Sequence, residues 1–188
     1  AYRKKRTSWG IGVLGSILVE IETEDGTVGV ATGTGGVPAA WLIANHFSRF
    51  LADQDARNVN LIWDQMYRAS LPYGRKGITV MAISAVDLAL WDLIGKIRDE
   101  PVYNLIGGMT HEEISFYCTG PQAGAIKDMG FWGAKVPLPH GPGERDAGLE
   151  KNVAFLRAHR DMVGPGFPLM VDCYMSLTVP YAIELAQA

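Results

Sequence analysis

The apolar residues of this 188-residue chain change their period near residue 110, and that change limits what it can fold into. Before it, strands come first and helices follow. Leu18-Val-Glu-Ile-Glu22 alternates, Asp25-Gly26 supplies a turn and Val28-Gly-Val-Ala31 returns, which predicts a hairpin within 11–31. Pro38 suits the first turn of a helix. Trp41, Ala44, Phe47 and Leu51 recur at helical spacing, as do Val59, Ile62, Trp63 and Met66, and these stripes are expected in the core. The clearest helix covers 80–98, with Ile83, Val86, Leu90, Ile94 and Ile97 on one stripe and Pro101 beyond its end. Strands followed by helices describe an α+β domain over residues 1–110.

After residue 110 the two periods alternate. Strands are predicted at 114–118, 134–138 and 169–173. Helices are predicted at 123–129, at 149–162 with Leu149, Val153, Leu156 and Arg160 on one face, and from 179 onward. This is the pattern of consecutive βαβ units and a parallel sheet over 111–188. Three strands cannot close a barrel, so the third is expected as an open edge. Phe116, Val136, Leu138 and Val171 are expected to need further strands as cover.

Composition narrows the partners. With 17 basic and 20 acidic residues, the chain offers no broad field for nucleic acid or an anionic membrane. No apolar run is expected to reach the ~20 residues of a membrane helix, and no signal-like segment is expected at the start of the sequence. Two cysteines, Cys118 and Cys173, are too few for a disulfide framework and suit a reducing cytoplasmic setting.

The residue best placed for chemistry is Asp172, at the end of the apolar run Phe167-Pro-Leu-Met-Val-Asp172. A carboxylate where a buried parallel strand stops lies on the edge at which barrel enzymes gather catalytic groups. It is also a suitable oxygen ligand for Mg²⁺. A plain turn or helix cap is the alternative reading. His140, in the loop His140-Gly-Pro-Gly-Glu144 after the second strand, lies on the same edge. Tyr174, two residues past Asp172, would face the same side if the strand geometry continued. His46, His159 and His111 read as packing or solvated residues. Tyr73-Gly-Arg-Lys-Gly77 has the wrong spacing for a phosphate loop.

The α+β-then-(β/α) order, together with Ser84-Ala-Val-Asp-Leu-Ala-Leu-Trp-Asp-Leu-Ile-Gly-Lys96 and Pro101-Val-Tyr-Asn-Leu-Ile-Gly-Gly108, resembles the mandelate racemase-like branch of the enolase superfamily. Within that branch, Gly133-Ala-Lys-Val-Pro-Leu138, His140-Gly-Pro142 and Met170-Val-Asp-Cys-Tyr-Met-Ser176 resemble the L-rhamnonate dehydratase family. The resemblance implies a capping domain over 1–110 followed by the first three units of a TIM-like barrel over 111–188. Relatives of about twice this length imply that the chain is incomplete, without the first cap strand and the later barrel strands.

The implied chemistry is Mg²⁺-dependent dehydration of a sugar acid, L-rhamnonate, by abstraction of the proton α to a carboxylate and loss of the β-hydroxyl. The alternatives are dehydration or racemisation of another acid sugar, or a non-catalytic carboxylate-binding member. Asp172 matches the first metal-binding carboxylate. Lys135 matches a lysine that meets the substrate carboxylate and the enediolate. Pro137 stands where some relatives carry a second, basic lysine, so the base is expected from later strands. Arg6 matches a substrate-contacting arginine of the cap, with His140 and Tyr174 as further lining residues. The resemblance also implies a homo-oligomer, up to an octamer, and an isolated piece without activity.

Overall fold

The computed structural model describes residues 14–188, so Arg6 and its basic neighbours lie outside the described residues. The chain divides into two compact units, one of Gly12–Thr110 and one built on His111–Ala188.

In the first unit, β1 (Ser16–Glu22) and β2 (Val28–Thr34) pair antiparallel, with Glu22 opposite Val28 at the turn. The turn closes because the Thr27 amide donates to Asp25 Oδ1 at 3.1 Å and Gly26 supplies a φ of 85°. Ile17 and Val19 point to the core while Leu18 and Glu20 point away, as the alternation requires. The helices α1 (Gly36–Leu42), α2 (Val59–Ser70), α3 (Ile78–Arg98) and α4 (Val102–Leu105) follow.

Helix α3 is the centre of this unit. Ile83, Val86, Leu90, Leu93 and Ile94 are buried on it. Burial of a side chain of this size contributes about 1.5–3 kcal/mol, so this one face accounts for much of the unit's cohesion. Gly29 and Gly33 of β2 let the helix approach. A β-carbon at Gly29 would overlap the Ala89 carbonyl oxygen and Leu93, and one at Gly33 would overlap Ala85. Polar groups then fix the helix on the strand. The Val30 amide donates to Asp92 Oδ2 at 2.7 Å, and Lys96 Nζ donates to the Val28 carbonyl at 2.8 Å.

Several expectations need correction here. Trp41 and Trp63 are exposed, although Phe47, Val59, Ile62 and Met66 on the same stripes are buried. The first stripe drifts because the chain passes from α1 into a π-type turn at Ile43–Phe47 and a 3₁₀ turn at Ser48–Phe50, where a period of 3.6 no longer holds. Ile97 is exposed as well, at the fraying end of α3 near Asp99, whose φ is 53°. At 21 residues α3 is long and apolar enough, by length and composition, to cross a membrane, contrary to the sequence expectation. Its apolar face is instead the core of the first unit, packed with Ile17, Val19, Phe47, Ile62 and Met66.

In the second unit, β3 (Tyr117–Thr119), β4 (Gly133–Pro137) and β5 (Leu169–Asp172) form a parallel sheet in sequence order. Helices α5 (Ala123–Asp128), α6 (Arg145–Val163) and α7 (Val179–Gln187) follow the successive strands. Strand β3 is shorter than predicted, and Phe116 lies exposed before it. Ala134, Val136 and Leu138 are buried. The first two pack with Ile126, Leu156 and Val163 of α5 and α6. Thus Val136 and Leu138 do not wait for further strands, contrary to expectation. Val171 is half-buried.

The stripe predicted for α6 was rotated by one position. Its innermost residues are Gly148, Asn152, His159 and Val163, two of them polar. The loop at 140–144 is also more regular than predicted, with a 3₁₀ turn at Pro142–Glu144 leading into α6.

Candidate active site at the ends of β4 and β5

The parallel register sets which side chains meet. Lys135 lies beside Met170 and Pro137 beside Asp172. Residues two apart on a strand share a face, so Lys135, Pro137, Met170 and Asp172 all belong to the face opposite the one under α5 and α6. Asp172 is the last residue of β5, where its carboxylate leaves the C-terminal edge of the sheet.

Lys135 Nζ lies 3.1 Å from Asp172 Oδ2, with both side chains roughly a quarter exposed. The other carboxylate oxygen, Oδ1, accepts the Tyr174 amide at 2.9 Å. Asp172 therefore serves as turn former and as charge partner at once, and the two sequence readings of it coexist. The Tyr174 amide, and after it the Lys135 ammonium, hold the Asp172 carboxyl below its ordinary pKa. The Asp172 carboxylate raises that of Lys135. Both groups are charged at neutral pH.

Pro137 fits the strand without loss. The amides of Ala134 and Leu138 donate toward β5, at 3.0 Å to Pro168 O and 2.9 Å to Asp172 O. Position 137 thus faces the β3 side, but β3 pairs only as far as Thr119 opposite Lys135. The Gly120 amide still donates to the Lys135 carbonyl at 3.0 Å, and proline, with no N–H, ends the ladder on that side.

The geometry expected for Tyr174 is not observed. The strand stops at Asp172, and Tyr174 and Met175 take φ values of 49° and 55°. The turn is closed by the Ser176 amide and hydroxyl donating to the Cys173 carbonyl at 2.9 and 2.7 Å. Strand alternation therefore does not set the direction of Tyr174. Met175 is 98% exposed at its tip. Burial, ahead of the nearby Asp172 charge, pushes the Cys173 thiol up, which disfavours the thiolate a nucleophile would need.

His140 is held from two sides. Its ring Nδ1 lies 2.9 Å from Glu144 Oε2, a contact that holds the Glu144 carboxyl below its ordinary pKa. Its backbone amide donates to Asn152 Oδ1 at 3.1 Å, and Asn152 Nδ2 donates back to the His140 carbonyl at 2.8 Å. Asn152 escaped the sequence reading because a buried asparagine carries no apolar signal. His159 is buried and packs edge-on against Phe155, 4.5 Å between ring centroids, as a packing residue would.

Among the described residues no group of three or more His, Cys, Asp or Glu side chains is assembled for a metal. Among the described strand residues, Asp172 alone offers a carboxylate on this face, which fits one ligand of a Mg²⁺ site and not a whole set.

A family model described as the mandelate racemase / muconate lactonizing enzyme N-terminal domain matches residues 12–107, just over half of the chain. The chain belongs to this family. Its membership places the first unit as the capping domain of an enolase-superfamily protein, with the parallel sheet as the start of the barrel.

A protein of Caldivirga maquilingensis that carries the provisional name L-rhamnonate dehydratase is 53% identical over 98% of this chain and 46% of its own length. A crystal structure of rhamnonate dehydratase from Gibberella zeae, complexed with Mg, is 65% identical with a TM-score of 0.89, over 97% of this chain and 45% of that one. A racemase from Streptomyces coelicolor A3(2), solved with bound magnesium, is 34% identical with a TM-score of 0.78, over 92% of this chain and 50% of its own. The chain thus spans about half the length of these mandelate racemase-family relatives.

Proposed function

We propose that the whole protein is a Mg²⁺-dependent sugar-acid dehydratase that converts L-rhamnonate to 2-keto-3-deoxy-L-rhamnonate. The observation that carries this reading is the Lys135–Asp172 pair, a cation and a carboxylate 3.1 Å apart on one face at adjacent parallel strand ends. The likeness to rhamnonate dehydratases across nearly the whole chain supports the substrate.

The reaction must remove a barely acidic proton next to a carboxylate, so negative charge that builds up on that group has to be stabilised. Asp172 is the residue of this chain that would hold Mg²⁺, which when bound supplies Lewis-acid stabilisation of that charge. Lys135 presents its ammonium to the same substrate carboxylate, and its stabilisation grows as the enediolate develops. Arg6 is proposed to contact the substrate through a planar guanidinium suited to a carboxylate or paired hydroxyls. His140 and Tyr174 are proposed to line the site. Pro137 can neither accept nor donate a proton from its side chain, so it is not the base, and among the described residues no further metal ligands are assembled beside Asp172.

The test is a panel of acid sugars offered to the whole protein with Mg²⁺ and again with excess EDTA. Turnover of L-rhamnonate that EDTA abolishes is expected. Turnover of a different acid sugar alone would overturn the substrate, and unchanged activity in EDTA would overturn the metal.

A further inference from the structure

Asn152 is fully buried on α6 beside the segment that follows β4, and its amide makes three hydrogen bonds. Two of them go to one residue. The His140 amide donates to Oδ1, and Nδ2 donates to the His140 carbonyl. A neighbouring strand meets a residue in this way, through both its N–H and its C=O. The third bond runs from Nδ2 to the Tyr181 hydroxyl at 2.9 Å. Tyr181 is buried and belongs to α7, the helix that follows β5.

The consequence for the edge can be traced bond by bond. Two residues before His140, the Leu138 amide donates to the Asp172 carbonyl. The end of β4 is thereby held to β5 at Asp172 on one side and by Asn152 just beyond it. Asn152 in turn is joined to the helix that leaves the β5 end. Only an asparagine side chain satisfies this site. An aspartate has no donor for the His140 carbonyl, and a glutamine is one methylene too long for a packed interior.

We propose that Asn152 is a positioning residue for the catalytic edge, whose amide replaces a strand partner beyond β4 and, through Tyr181, locks that segment to the helix after β5. This rests on the reading of Lys135 and Asp172 given above. Removing such support leaves the charged groups present but loosely aimed, and misplacement of that kind lowers rate more than substrate affinity.

The experiment compares the whole wild-type protein with Asn152→Asp, Asn152→Ala and Tyr181→Phe. It measures amide hydrogen exchange over residues 138–144, Mg²⁺ affinity by titration calorimetry, and initial rates with L-rhamnonate. In Asn152→Asp and Asn152→Ala, exchange over 138–144 should rise while that of α3 stays unchanged. Their kcat should fall about tenfold or more, with KM within about threefold, as for other residues that orient a site from behind. Tyr181→Phe removes one hydroxyl and keeps the shape, so smaller changes in the same direction are expected. Should Asn152→Asp fail to fold, Tyr181→Phe and Asn152→Ala still decide. Wild-type exchange, Mg²⁺ affinity and kcat in Asn152→Ala, with only a lower melting temperature, would overturn the proposal and return Asn152 to packing. A wild-type protein that binds no Mg²⁺ and dehydrates no sugar acid would sink the reading of the site instead. The exchange of residues 138–144 would then decide by itself whether the clamp exists.

Discussion

The two units use the same ingredients differently. In the first, one long helix lies against a hairpin and nearly every buried side chain is apolar. In the second, one face of a three-stranded sheet packs under α5 and α6, while the other carries Lys135 and Asp172. Every residue of β5 is only half-buried. The first unit is organised by packing, and its substitutions should be read in stability. The second exposes its charged pair on a face that contributes little to its own core, and substitutions there should be read in chemistry.

The sharpest way to break this contrast is Asp172→Asn in the whole protein. The amide keeps the shape but loses the charge that holds a hard cation, so turnover should fall more than about a hundredfold and Mg²⁺ binding should weaken. Near-normal rates would erase the distinction between the units. Lys135→Met comes next, with kcat expected to fall about 10²–10³-fold, as on losing a donor aimed at developing charge. Its melting temperature should stay within about 2 °C of wild type, because a partly exposed ion pair contributes little to stability. A lower melting temperature with intact kinetics would make Lys135 a structural residue.

Leu90→Ala sharpens the comparison from the other side. Leu90 is 1% exposed on α3, and its truncation should cost about 2–5 kcal/mol in denaturant unfolding. The kcat of the folded fraction should be unchanged; a large loss of kcat without destabilisation would contradict the division of labour. The smallest effect belongs to Glu144, whose carboxyl is held below its ordinary 4.5 chiefly by the bond with His140. A lowered folded value means that the bond stabilises fully above that ordinary value and is lost as pH falls through the folded one. Glu144→Ala should therefore melt a few degrees at most below wild type at neutral pH, and the gap should close in acid. A gap that persisted unchanged in acid would remove the ionised carboxylate as its cause.

Much of the architecture was legible because it rests on period. The hairpin follows from the alternation at 18–22 and the Asp25-Gly26 turn, α3 from its stripe, and the parallel sheet from the strand–helix alternation after residue 110. What escaped has physical causes. Trp41 and Trp63 have the right spacing for a core, but a π-type turn rotates the first stripe, and apolar character alone does not bury the second. The α6 stripe was displaced because Gly148 and Asn152 occupy innermost positions that sequence reading reserves for large apolar residues. In the site, Asp172 was legible as a strand-end residue and Lys135 only through the family resemblance, and the register brings them together. Tyr174 departs from strand alternation because the carboxylate of Asp172 accepts its amide and β5 ends at Asp172, one residue short of the predicted 169–173.

The turn after β5 also bears on how this protein could be engineered. Tyr174 and Met175 hold consecutive left-handed conformations, which cost a side-chain-bearing residue roughly 1–2 kcal/mol each. Glycine or asparagine at Met175, exposed at the tip, is thus an inviting thermostabilising change. The same turn presents the Tyr174 amide to Asp172 Oδ1 and so aims the carboxylate. A substitution that kept the turn would keep that aim, whereas one that opened it would let the carboxylate swing, so a library selected for survival at high temperature needs a second screen for activity.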